Sequence, residues 1–134
     1  MSHLIFQLRS ARAGVTQLLE DIAHAMAIED SPMTVHARDA ANDTPLHYAA
    51  YWGDVRAIEM LAQAGAALDA HGAFDATPLL LAILNGHYAA AVRLVELGAS
   101  PDEQTALGTP VVAAAQSHDL RVRALFAEAA QSTA

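Results

Sequence analysis

Apolar residues recur along the chain at spacings of three and four, the period of helices buried on one face. Leu4, Ile5 and Leu8 mark a short first segment, and Val15, Leu18, Leu19, Ile22 and Met26 a longer second one, with Gly14 between them. Ser31-Pro32 breaks the second helix, and Val35 to Asp43 carries turn formers without a stripe. Leu46, Ala49 and Ala50 then share one face of a short helix, and Gly53-Asp54 turns the chain. Val55, Ile58, Leu61 and Ala62 stripe a helix that Gly65 ends with a left-handed cap.

The start of that short helix, Thr44-Pro45-Leu46-His47-Tyr48-Ala49-Ala50, carries its own folding instructions. Threonine caps orphan backbone N–H groups, and proline is tolerated at the first helical position, where no N–H is needed. His47 falls at the third helical position, where an imidazole can reach back to Thr44 as glutamate does in a capping box. The stretch returns 33 residues on as Thr77-Pro78-Leu79-Leu80-Leu81-Ala82-Ile83, and 32 residues later as Thr109-Pro110-Val111-Val112-Ala113-Ala114-Ala115. Shifting by 33 also reproduces the turn, as Gly86-His87, the second stripe, as Tyr88, Ala91, Leu94 and Val95, and the closing glycine, as Gly98. A fixed period of this length means a stacked array.

The third copy departs from the pattern. His118 stands where Gly53 and Gly86 stood, a tolerable but costly residue if the turn needs a positive φ. Arg123 stands at the place of Ile58, which predicts an outer wall on a terminal, capping unit. Arg93 enters the place of Met60 and is expected to pair with Glu59 or reach solvent.

The motif Thr-Pro-Leu-His-x-Ala-Ala, the Gly-His or Gly-Asp turn, the apolar second helix and the Gly-Ala ending, all in register at one period, resemble ankyrin repeats over about residues 34 to 130. The resemblance implies an all-α, ankyrin-repeat solenoid of stacked helix–turn–helix units with hairpin-like loops, about four units including caps. One domain, 1–134, is expected to divide into an N-terminal capping repeat (1–37), repeats at 38–70 and 71–103, and a C-terminal capping repeat (104–134).

Composition narrows the function classes. With 134 residues the chain holds one domain with a real core, and the absence of cysteine removes disulfides and thiol chemistry. The apolar run from Leu4 to Leu8 is too short for a signal-peptide core or a bilayer span, so a soluble cytoplasmic protein is expected. The net charge is −8, and all seven basic residues are arginine. Such a surface repels phosphate backbones and anionic lipid and suits a basic or neutral protein partner. The alanine-rich, lysine-free composition also fits a bacterial source with a GC-rich genome.

No catalytic or metal chemistry is expected. The seven histidines show no HxxxH, HExxH or paired spacing, and neither a G-x-S-x-G motif nor a P-loop is present. No cofactor is expected either. His47 and His87 have structural explanations at a cap and a turn.

The resemblance implies instead a non-enzymatic module that binds a protein partner through its concave face, made of loop tips and the exposed side of each first helix. Mapped onto this sequence, that face carries Arg38, Asp43, His71, Phe74 and Gln104 at tips, and Tyr51, Trp52, Leu84, Asn85 and Gln116 on helices. Tyr51, Trp52 and Phe74 are expected to lie together among Asp43, Asp69, Asp75 and Asp102, with Trp52→Ala sparing the fold and abolishing binding. A small acidic chain suits an immunity or inhibitor role, and a free monomer is expected. The alternative is a structural or regulatory subunit that acts by self-assembly or within a larger complex.

Overall fold

The computed structural model describes residues 14–27 and 34–126. The expected first helical segment, Leu4 to Leu8, and the Ser31-Pro32 break lie outside them. Seven α-helices run in order: α1 (Val15–Ala25), α2 (Pro45–Trp52), α3 (Val55–Gln63), α4 (Pro78–Leu84), α5 (Tyr88–Leu97), α6 (Pro110–Ala115) and α7 (Leu120–Ala124) among the described residues. A one-turn 3-10 segment, Ala73–Asp75, precedes α4, and the described residues form no strand.

Each short first helix begins as its sequence dictates. Thr77 Oγ1 accepts from Leu80 N at 3.2 Å and Thr109 Oγ1 from Val112 N at 3.3 Å, with proline following each threonine. At α2 the imidazole does the capping: Thr44 N donates to His47 Nδ1 at 3.1 Å, and Thr44 Oγ1 lies 2.8 Å from the same nitrogen. Helices of six to eight residues are marginal alone, so their stability comes from their neighbours.

Those neighbours form two layers. The first helices α2, α4 and α6 pack side by side; α3 lies on α5, and α1 closes the near end against α2 and α3. Ala49, Ala82 and Ala114 recur in register on the first helices, all fully buried, and a methyl there lets adjacent helices approach closely. Ile58 and Leu61 of α3, Ala91 and Leu94 of α5 and Val122 of α7 fill the core between layers, with Leu18 and Ile22 of α1 beyond. Arg93 of α5 donates to Glu59 of α3 at 3.0 Å, the pairing its position predicts.

Two glycines are fixed by close approach. A Cβ on Gly53, which has a φ of 71°, would lie 2.6 Å from the His87 ring, and His87 Nε2 bonds the Tyr51 carbonyl at 2.8 Å. Gly72 leaves room for the capping ring: a Cβ there would lie 2.3 Å from Asp43 Oδ1 and 2.7 Å from His47 Nε2.

The end of the array differs from the expectation at one position. His118 is not among the residues of positive φ, so the third turn does not use the left-handed conformation of Gly53 and Gly86 and carries none of its cost. Arg123 is exposed, as an outer wall requires, and its guanidinium forks onto the Ser117 carbonyl at 3.1 and 2.9 Å.

Candidate functional site

Along α2, Tyr48, Tyr51 and Trp52 follow at spacings of three and four and so share one side of the helix. Trp52 packs edge-on against Tyr48, ring centroids 5.6 Å apart, and both are half-buried against the core. The Tyr48 hydroxyl donates to Asp39. Burial and that carboxylate together push its pKa well above the usual phenol value. Tyr51 remains 56% exposed.

The loop before α4 brings the next aromatic to the same side. Its 3-10 turn places Phe74 (φ 56°) and Asp75 (φ 66°) consecutively in the left-handed region, which costs a non-glycine residue about 1–2 kcal/mol. Gly72 N donates to Ala76 O at 2.8 Å across the turn, and Ala73 N donates to Asp43 Oδ1 at 2.9 Å from the preceding loop. Held this way, Phe74 is 86% exposed.

Between α2, this loop and α4 lies a groove of about 310 Å³, bordered by Tyr48, Tyr51, Trp52, Phe74 and Leu81 with Asp43 and His47. A second depression of about 530 Å³ between α4 and α6 is lined by Leu84, Asn85, Leu107, Val112 and Gln116 together with the turn from Ser117 to Asp119. The structure therefore brings Asp43, Tyr51, Trp52 and Phe74 to one opening, and Leu84, Asn85 and Gln116 to the other. Gln104 is exposed and lines neither. Sequence mapping missed Tyr48, Leu81 and Val112. Helical spacing from Tyr51 would have found the first.

Arg38 and His71, expected to face a partner, also tie the loops together. Arg38 donates to the carbonyl oxygens of Asn42 and His71, both at 2.8 Å. His71 Nδ1 lies 2.7 Å from Asp75 and Nε2 2.8 Å from Glu103, so the imidazolium form donates from both ring nitrogens at once. Glu103, then Asp75, raise its pKa, and the cation in turn holds the Asp75 carboxyl below the usual range. With neither nitrogen offering a lone pair, this ring does not act as a base or metal ligand in that state. Asp75 also accepts from Ala106 N at 2.6 Å, and Asp69 from Ser100 N at 2.8 Å. The expected ring of aspartates is thus largely engaged in stitching one loop to the next.

His47 has the opposite chemistry. Its Nδ1 accepts from Thr44 N, so the proton sits on Nε2 and is donated to Ala76 O at 2.9 Å. Burial lowers its pKa and keeps the ring neutral.

No helix among the described residues is long and apolar enough to cross a membrane. A family model described as ankyrin repeats, in three copies, matches residues 9–105.

Proposed function

Since the chain belongs to the ankyrin-repeat family, whose repeats generally mediate protein–protein interaction and are generally non-enzymatic, we propose that it is a non-enzymatic module binding one protein partner across its first helices and loop tips. The observation that carries this reading is the exposure of Tyr51, Phe74 and Leu84 beside two adjoining grooves on one side of the array. Exposed aromatic clusters of this kind mark interaction surfaces, and tyrosine and tryptophan are enriched among the residues that dominate binding energy.

Tyr51, Trp52, Phe74, Leu84, Asn85 and Gln116 are the residues assigned to contact. Arg38, Asp43 and His71 set the loop positions from which that contact is made. A net charge of −8 favours a basic or neutral partner over nucleic acid or anionic membrane. The acidic charge suits an immunity or inhibitor protein that masks a basic target enzyme in the cytoplasm. Affinity capture with the wild type beside Tyr51→Ala/Phe74→Ala tests the reading: loss of a specific partner with the helical signal unchanged supports it, and equal capture overturns it. Measured mass separates a monomeric module from the alternative, a subunit acting by self-assembly, which requires a stable oligomer disrupted by the same pair of substitutions.

A further inference from the structure

The α2–α4 groove has walls that select for charge as well as shape. Four of the seven aromatic residues in the chain, Tyr48, Tyr51, Trp52 and Phe74, border this single opening. Aromatic faces carry negative electrostatic potential and attract cations. The surrounding loops reinforce that sign. Asp39 accepts the Tyr48 hydroxyl, Asp43 lines the groove, Asp75 follows Phe74 in sequence, and Glu103 reaches His71. His71 offsets Asp75 and Glu103, between which it sits, and Arg38 is held on two carbonyl oxygens, so Asp39 and Asp43 are the carboxylates of this cluster without an ion pair among the described residues. An aliphatic guest would dehydrate Asp43 and give it no counter-ion in return, which is costly. A cationic guest supplies one.

We propose that this groove receives an arginine side chain from a basic segment of the protein partner, with the stem against Leu81, the planar head against the aromatic rings and Asp43 as counter-ion. The proposal rests on the protein-binding reading above. Arginine is favoured over lysine because the flat, weakly hydrated guanidinium stacks on rings. Such a contact occurs among the described residues, with the Arg121 guanidinium carbon 4.9 Å from the centroid of the Tyr88 ring. A volume of about 310 Å³ is at the small end of ligand pockets, suited to one long side chain rather than a whole helix.

Trp52 is the only tryptophan and borders the groove, so its emission reports occupancy without a label. The full chain is titrated with capped seven-residue Gly/Ala peptides bearing a central arginine, citrulline or norleucine, at low and high salt. The arginine peptide is expected to perturb Trp52 at concentrations about tenfold below the citrulline peptide, an advantage that shrinks as salt rises. Asp43→Asn, which retains an acceptor for Ala73 N, and Phe74→Ala are each expected to cut that advantage severalfold, with circular dichroism verifying the fold. Equal or tighter binding of citrulline or norleucine overturns the proposal while leaving the protein-binding reading standing, as does the absence of any response up to the solubility limit. The broader reading falls on a different result, unchanged partner capture by Tyr51→Ala/Phe74→Ala.

Discussion

The imidazole of His47 donates to the carbonyl oxygen of Ala76 at 2.9 Å, joining the start of one helix to the loop that begins the next unit. It is the bond at the other nitrogen, which accepts from Thr44 N, that needs a neutral ring. The folded pKa is lowered, so folding releases protons from this site, and its contribution is fully present above the unfolded value near 6.5. That contribution falls as pH drops below 6.5 and is gone once pH has passed the folded value. Urea unfolding of wild type and His47→Gln should show the variant less stable by about 1–2 kcal/mol at pH 7.5, with the gap narrowing toward pH 5. A gap that stays constant with pH would refute this account.

His71 works in the reverse direction. Its folded pKa is raised, so its contribution is fully present below the unfolded value and lost as pH rises through the folded one. Imidazole NMR titration should place His71 above 6.5, with Glu103→Gln lowering it more than Asp75→Asn, since Glu103 is the larger cause. A titration near 6.5 in the wild type would show that the clasp does not form. Because the His47 window lies below 6.5 and the His71 window above it, the contribution of the two sites together should peak near 6.5 and fall away on both sides.

Phe74 occupies a left-handed backbone position while 86% exposed. Phe74→Gly removes that strain, and thermal unfolding should show a gain of up to about 1 kcal/mol. The same substitution deletes a wall of the aromatic groove, so binding should weaken as stability rises. A loss of stability would mean that Phe74 serves the fold rather than the surface.

At Gly72 the constraint is space. Gly72→Ala drives a methyl against Asp43 Oδ1 and His47 Nε2, at 2.3 and 2.7 Å before relaxation. Chemical denaturation should report a loss of about 1–3 kcal/mol, and Gly65→Ala would not reproduce it by collision, since nothing lies within 4 Å of its Cβ position. Gly65 has a φ of 95° and responds through backbone strain alone. Combining each substitution with His47→Gln distinguishes the two: the Gly72 cost should shrink and the Gly65 cost should not.

The helix starts were legible because their physics is local: a threonine, a proline and a third-position group act within one turn, as Thr77 and Thr109 show. Stacking was legible through period, and the aromatic opening through the positions of Tyr51, Trp52 and Phe74. What escaped the sequence depends on contacts between units. Arg38 and His71 looked like free tips until the next loop supplied their partners. Asp43 and Asp75 perform the same task on Ala73 N and Ala106 N, yet lie 32 residues apart rather than 33, so the repeat frame hides their equivalence. Trp52 is half-buried against Tyr48 and the core, so Trp52→Ala removes packing along with any contact, and Tyr51 and Phe74 are the cleaner probes.

Leu80 occupies the place of His47 in the following unit and is fully buried, with no ring to reach the third loop. The near junction is therefore fastened partly by a buried neutral bond, the far one by the half-buried His71–Glu103 pair, Asp75 on Ala106 N and Asp69 on Ser100 N. Added salt screens exposed charges and leaves a dry hydrogen bond nearly untouched. Ionic strength should then loosen the far side more than the near one: amides of α6 and α7 would exchange with solvent sooner than those of α2. The array has a direction of fraying, set by one histidine that was not repeated.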